Sequence, residues 1–348
     1  MNKASALCLA LCLSACSKTS SSELSPAKPD VVPEVVNRSH KVLGSQITLT
    51  LVKGQTQQLE PLLAQVFGEF DRLENLLSVW RPGSDVVKIN EASGQTAVRV
   101  SEETISILER AKLVSAQSKG KFDVSFGALS GLWKFDHDQD NQIPDPKILS
   151  ARLELIDYES IIIDAQARTV KLAKPGMRIH LGGIGKGYAV DRAVSILRNN
   201  KVENFMMQAG GDLYVAGTRG PRAWRVGVRN PRGVPSDYFA ATEVTDATFS
   251  TSGDYERYFI KDGIRYHHII DPDTGQPARS CRSVTVMAKD AITADTLSTA
   301  IFLLGVKEGL KLVEDTPGTG VLIVDADNKV HVSGRLKGKI KLLHAPTP

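Results

Sequence analysis

The sequence predicts an α+β fold with mixed sheets and flanking helices. Stretches of helical periodicity, clearest at residues 57–77, are interspersed with short runs of strand character. The strand-like runs crowd into the second half without regular βαβ alternation, which disfavours a doubly wound parallel sheet. The composition is that of a globular protein, with 348 residues, 42% hydrophobic and 24% charged. Such a length suffices for a core and an enclosed ligand site.

In chain order, the first feature is an address. Lys3 precedes an apolar run from Ala4 to Leu13, and Ser14-Ala15 stand immediately before Cys16. A basic start, a short apolar stretch and small residues make a secretory signal over residues 1–15. The run is well short of the roughly 20 residues that a spanning helix needs. Small residues before a cysteine resemble a bacterial lipobox, in which Cys16 is lipidated and heads the mature chain; the alternative is a plain signal with an incidental cysteine. Residues 16–38, rich in Ser, Pro, Lys and Glu, read as a flexible tether, and residues 39–348 as the folded domain. The expected location is therefore lipid-anchored on an extracytoplasmic membrane face, the periplasmic side of the inner membrane.

Cys8 and Cys12 leave with such a signal, and Cys281 is then the only free thiol. An intramolecular disulfide, a CxxC site and a thiolate zinc site are not expected, so a metal would be held by oxygen. The 43 basic and 39 acidic residues interleave to a net charge of +4, which argues against nucleic acid as a partner.

The folded part begins with alternation over residues 46–52, a strand. Residues 57–77 carry Leu59, Leu62, Leu63, Val66, Phe70, Leu73 and Leu77 at helical spacing. Ser101, followed by Glu102 and Glu103, caps a helix over 102–118. Short strands are expected at 153–158, 160–164 and 169–172, and residues 179–181 extend into a glycine cluster followed by a helix over 188–199. Further strands fall at 205–209, 213–216, 224–228, 258–259 and 283–287. A helix over 294–304 and a hairpin of 321–325 with 329–332 close the chain.

Several residues in this framework have chemical capacity. In Gly182-Gly183-Ile184-Gly185-Lys186-Gly187 the glycines let backbone N–H groups approach phosphate oxygens, and the following helix start adds positive potential. The spacing is neither GxGxxG nor GxxxxGK[ST], and a tight strand-to-helix turn explains the cluster equally well. Gly210-Gly211-Asp212 reads as a turn. Asp295 and Thr299 share a helix face, a pairing that suits Mg²⁺, although Asp in a first turn also complements a helix dipole. His267-His268 precede the turn Asp271-Pro272-Asp273-Thr274-Gly275, and a histidine there has the capacity of a general base. The acidic run Asp136, Asp138, Asp140 lacks the glycine and twelfth acid of a calcium loop and reads as solvated.

The order of these motifs along the chain is more specific than any one of them. Residues 76–85 (LLSVWRPGSD), 120–125 (GKFDVS), 182–191 (GGIGKGYAVD), 210–212 (GGD), 250–255 (STSGDY), 268–275 (HIIDPDTG) and 294–299 (ADTLST) resemble the ApbE family, the FAD:protein FMN transferases, over nearly all of the mature chain. The resemblance implies a T-fold-like α+β architecture and a Mg²⁺-dependent reaction. FAD is cut at its pyrophosphate, FMN is esterified to a Thr or Ser of a target redox flavoprotein, and AMP leaves. By matching position, Asp295, Thr299 and the main-chain oxygen of Gly183 are implied as metal ligands, and His268 as the base. Leu43, Trp80, Lys121, Phe122, Asp123, His180, Gly182, Gly185, Lys186, Gly210, Gly211, Asp212 and Ile270 are implied at the FAD. Two departures stand out: His180 occupies a family Asp position, and Leu43-Gly44-Ser45 replaces Met-Gly-Thr. Rival readings are an FAD pyrophosphatase, a non-catalytic flavin carrier, and a solute-binding lipoprotein unrelated to flavin.

Overall fold

The computed structural model describes residues 33–136 and 138–348. The signal segment, Cys16 and most of the tether lie outside the described residues. The first elements are β1 (Val35–Val42), β2 (Ser45–Val52), α1 (Leu59–Leu77), α2 (Asp85–Glu91), β3 (Val98–Arg99), α3 (Glu102–Gln117) and α4 (Pro146–Leu153). They continue with β4 (Ile161–Asp164), β5 (Thr169–Leu172), α5 (Gly185–Asn199), β6 (Phe205–Ala209), β7 (Asp212–Ala216), β8 (Trp224–Arg229) and β9 (Tyr238–Val244). The rest are β10 (Ala247–Gly253), β11 (Tyr258–Lys261), β12 (Ile264–His267), β13 (Cys281–Ala288), α6 (Ala291–Glu314), β14 (Gly320–Asp325), β15 (Val330–Gly334) and β16 (Lys341–Leu342).

An eight-stranded antiparallel sheet in the order β1-β2-β6-β7-β10-β13-β14-β15 forms the centre. Its two faces follow from the two-residue period of a strand. On β13 and β14, Val284, Val286, Val321 and Ile323 face a core shared with α1, α5 and α6. Their neighbours Met287, Leu322 and Val324 face a second core. That second core is closed by Trp224, Val226 and Val228 of β8 and by Phe239 and Ala240 of β9, from the small sheet β16-β9-β8. The architecture is α+β, as the sequence predicts.

Most helices begin where the sequence places a cap. The Ser101 hydroxyl accepts the Thr104 N–H at 3.0 Å, and the Asp290 carboxylate accepts that of Thr293 at 2.9 Å. The first helical segment of α6 ends at residue 304 as expected, and Gly305 (φ 77°, ψ −175°) separates it from a second segment that continues to Glu314.

Other expectations are corrected. Residues 153–158 form no strand: Asp145 caps α4, Pro146 occupies its first turn, and Asp157 then caps a short 3₁₀ turn over Tyr158–Ser160. Residues 179–181 are extended but join no ladder, because a side chain takes the place of a neighbouring strand. The Asn90 amide donates to the Ile179 carbonyl at 3.0 Å and accepts the Ile179 N–H at 2.7 Å. Strand β1 starts at Val35, inside the segment read as tether; its largely exposed face hides the apolar signal, and it is held by pairing with β2. Helix α2 and strands β9 and β10 were absent from the sequence reading.

Helices α5 and α6 cross closely at Gly187. A Cβ there would lie 2.5 Å from the Ala291 carbonyl oxygen and 2.8 Å from Asp295 Cβ. Alanine elsewhere in a helix gains up to about 1 kcal/mol over glycine, but this clash involves backbone. Gly187→Ala should therefore destabilise the fold by about 1–3 kcal/mol in urea titrations. An unchanged or raised midpoint would show that the crossing has slack.

Candidate active site

A cleft of about 580 Å³ opens where the β6–β7 turn, the end of β10, the starts of α5 and α6, and the loops around residues 121–136 and 268–272 converge. The Gly210-Gly211 turn starts β7 with Asp212, which pairs with Ser250 across the ladder. One helical turn on α6 separates Asp295 from Thr299, and both side chains reach the same cavity. Gly183 lies beside them: a Cβ on it would be 3.6 Å from Thr299 Oγ1 and 3.2 Å from Phe122 Cε2.

An acidic centre forms the floor. Asp295 Oδ2 accepts the Gly187 N–H at 2.9 Å, and its Oδ1 lies 3.7 Å from Lys186 Nζ. Asp212 is buried, with Oδ2 at 3.4 Å from the same ammonium but without an aligned hydrogen bond. Burial, reinforced by Asp212, pushes the Asp295 carboxyl well above the usual carboxylate range against the opposing pull of Lys186. With both acids ionised the group of three carries one excess negative charge, in a place where an unneutralised charge is costly. Two hydroxyls extend the oxygen lining: Ser252 Oγ is 3.2 Å from Thr299 Oγ1 and is backed by the buried Ser298 Oγ at 2.9 Å. Among the described residues no set of three or more His, Cys, Asp or Glu is arranged to hold a metal. A cation here would thus rest on carboxylate, hydroxyl and carbonyl oxygens, the donor set of a hard ion that keeps several waters. The buried Asp212 oxygen without a hydrogen-bond partner fits such an ion.

Two neutral histidines flank this centre. His268 Nδ1 lies 3.3 Å from the Arg257 carbonyl, which only accepts, so the ring proton is assigned to Nδ1 and Nε2 keeps its lone pair. Burial, together with Arg257 and His267, drives the His268 imidazole down to about 3. His180 has the opposite tautomer. Its Nδ1 accepts the Gly182 N–H at 3.0 Å, which leaves an Nε2–H donor. A Cβ on Gly182 would fall 2.7 Å from His180 Cε1, so glycine permits the ring to fold over its own turn. Burial, then Arg257, lowers His180 to about 4. Its ring sits 5.5 Å from that of Phe126.

The remaining walls mix clamps and rings. Lys121 Nζ binds Asp271 at 2.7 Å and Asp273 at 2.8 Å, tying its loop to the 271–275 turn. Asp123 lines the cleft, yet its oxygens are already engaged by Ser125 and by the Tyr158 N–H. Trp80 is 72% exposed at the rim. Trp133 and Phe135 stack on the far side at 5.7 Å.

Of the residues singled out in the sequence, His180, Gly182, Gly183, Lys186, Gly210, Gly211, Asp212, His268, Ile270, Asp295 and Thr299 share the cleft with Trp80, Lys121, Phe122 and Asp123. Leu43 and Gly185 do not line it. Leu43 packs against the main core and donates its N–H to Glu74, and Gly185 is buried as the first residue of α5. Sequence reasoning missed Phe126, Trp133, Ser252 and Arg257. Ser252 lay inside a quoted motif and Arg257 two residues beyond it, whereas nothing in the local pattern marks Phe126 or Trp133.

Comparison with known proteins places the chain in a family. The model of the ApbE family matches residues 43–323. A protein named FAD:protein FMN transferase from Treponema pallidum is 32% identical over 325 residues, covering 89% of this chain and 90% of that one. The crystal structure of the ApbE protein from Thermotoga maritima has a TM-score of 0.80 at 35% identity, covering 88% of this chain and 99% of that one. The flavin transferase ApbE from Vibrio cholerae has a TM-score of 0.78 at 27% identity, with the same coverages of 88% and 99%.

The histidine assignments can be read directly. In ¹⁵N spectra, His180 and His268 should remain neutral and of opposite tautomer from pH 8 to about 5, because their values lie near 4 and 3 instead of 6.5. The unfolded chain takes up those protons near pH 6.5 and the folded chain does not. Their contribution to stability is therefore complete above about 6.5 and is lost as pH falls toward the folded values. Titration of either half-buried ring near pH 6.5 would refute its neutral state.

Proposed function

The chain belongs to the ApbE family, and from that premise we propose that it transfers the FMN part of FAD to a Ser or Thr hydroxyl of a target redox flavoprotein, releasing AMP. The observation that carries this reading is the meeting, in one cleft, of a neutral His268 with the Asp295–Asp212–Lys186 centre. Displacement at phosphorus asks for positioning, charge neutralisation and an activated hydroxyl more than for covalent catalysis by the protein.

His268 Nε2 accepts the proton of the incoming hydroxyl. The new bond joins that oxygen to the FMN phosphorus, the pyrophosphate P–O bond breaks, and AMP leaves with the electron pair. The Lys186 ammonium faces the pyrophosphate and, with the dipole of α5, offsets its charge. Mg²⁺, held by Asp295, Thr299 and the Gly183 carbonyl, would supply further neutralisation of the phosphate oxygens. The Trp133 and Phe135 rings give the isoalloxazine or adenine an apolar surface. His180 offers an N–H donor where a carboxylate would offer only acceptors, so the replacement reverses the polarity of that contact. Upstream, the Ser14-Ala15-Cys16 sequence supports a lipid on Cys16 and a periplasmic position, the side on which such an anchored enzyme meets membrane redox partners.

The direct test incubates the protein with FAD, Mg²⁺ and a threonine-bearing flavoprotein domain, following AMP release and the intact mass of the acceptor. An FMN-sized mass gain that disappears with EDTA is expected. AMP and free FMN without labelling of an acceptor known to be flavinylated by other means would instead establish the pyrophosphatase. His268→Ala should lower kcat by about 10²–10⁴-fold while FAD affinity holds. Asp295→Asn should remove the Mg²⁺-dependent rate altogether. Normal single-turnover chemistry in either variant would displace that residue from its role. In cells fed radiolabelled palmitate the wild-type chain should carry label and Cys16→Ser should not; label on both would remove the lipid from Cys16.

A further inference from the structure

Behind the wall that carries His268 lies a second cavity of about 210 Å³, which shares no lining residue with the cleft. The partition follows the chain: His268 lines the cleft, whereas its neighbour His267 lines this second space. Four arginines contribute to its lining: Arg232 after β8, Arg265 on β12, Arg279 before β13 and Arg282 on β13. The one carboxylate in the lining is Asp254.

We propose that this cavity is an anion site for a small, multiply charged oxyanion of the phosphate class. The charges around it do not cancel. Arg232 takes both oxygens of Asp254 in a fork, with Nη1–Oδ1 and Nη2–Oδ2 each 2.7 Å. The other three arginines have no carboxylate partner among the described residues. Arg282 donates to the Asn328 side-chain oxygen at 2.9 Å and the Thr347 carbonyl at 3.3 Å, and Arg279 donates to the Arg265 carbonyl. These acceptors are neutral. Asp325, at the end of β14, is engaged by His331 at 2.7 Å and by the Lys329 N–H at 2.8 Å.

Arg265 is the sharpest of the four. Its guanidinium lies over the Tyr258 ring at 3.7 Å, and its Nη1 is buried without any acceptor. A buried donor of this kind is costly unless something accepts from it. Planar forks from several directions match the oxygens of a tetrahedral anion, and arginine is the residue suited to that geometry. Size narrows the ligand. Pockets for drug-sized molecules run to about 300–1,000 Å³, so this smaller space suits a single phosphate with a few waters. Its ligand is therefore distinct from the FAD of the main cleft.

The test is a thermal-unfolding titration of the purified chain with inorganic phosphate, repeated with sulfate and with chloride at matched ionic strength. Phosphate and sulfate should raise the midpoint along a saturating curve, whereas general salt stabilisation rises without saturating. Arg265→Gln and Arg279→Gln, both on the surface hairpin side of the cavity, should each weaken the apparent affinity roughly tenfold or more, the worth of one charge-assisted hydrogen bond. Flavin transfer should stay at the wild-type rate in both. Saturable binding that survives both substitutions would place the anion elsewhere, in the main cleft beside Lys186, and overturn the assignment. A rise that never saturates, or that chloride reproduces, would overturn it equally.

Discussion

Much of this molecule depends on one contact that a side chain would forbid. Gly187 lets α5 and α6 approach until its own N–H reaches Asp295 Oδ2 at 2.9 Å. That hydrogen bond helps to hold a carboxylate in a buried position where burial alone would keep it protonated. The same approach puts Lys186, one residue earlier, between Asp295 and Asp212, and brings the loop carrying Gly183 against Thr299. Helix packing and active-site electrostatics are therefore one problem here. A looser crossing would cost packing and would also unlink the ammonium from its two acids.

The cleft couples an acidic floor to neutral bases without neutralising either. Arg257 contributes in two ways: its carbonyl fixes the His268 tautomer, and its positive charge helps to keep both His268 and His180 unprotonated. A histidine exposed near two aspartates would tend to ionise and pair with them. Here burial dominates, so the rings act by hydrogen-bond polarity, one as acceptor and one as donor.

The sequence made the fold largely legible where local signals and tertiary context agree. The apolar stripe of α1, the Ser101 cap and the alternation on β2 each have a physical cause within a few residues. Residues 179–181 were misread because an extended, apolar segment normally pairs with a strand, and its actual partner is the side chain of Asn90, 89 positions away. The short apolar run near Leu155 was misread because Asp145-Pro146 begins a helix just upstream, a local start signal stronger than the run itself. In the site, Asp295, Thr299 and His268 were found because their order matches a family, since spacing alone left each with an ordinary structural explanation. Phe126 and Trp133 carry no such order and emerge only when the loops fold over the cleft. The tautomer of His180 is similarly a property of three dimensions, set by one N–H two residues on.

The helical spacing of Asp295 and Thr299 has a consequence for how this chain tolerates changes in length. Their separation is fixed by the rise of α6 and by no loop, so bending of the sheet carries both as a unit. One residue inserted between them would turn Thr299 by about 100° around the helix axis, out of the cleft and into the packed core. Loops elsewhere around the cleft can lengthen at modest entropic expense. This four-residue interval cannot, which makes it a fixed ruler against which insertions in the surrounding loops are free to accumulate.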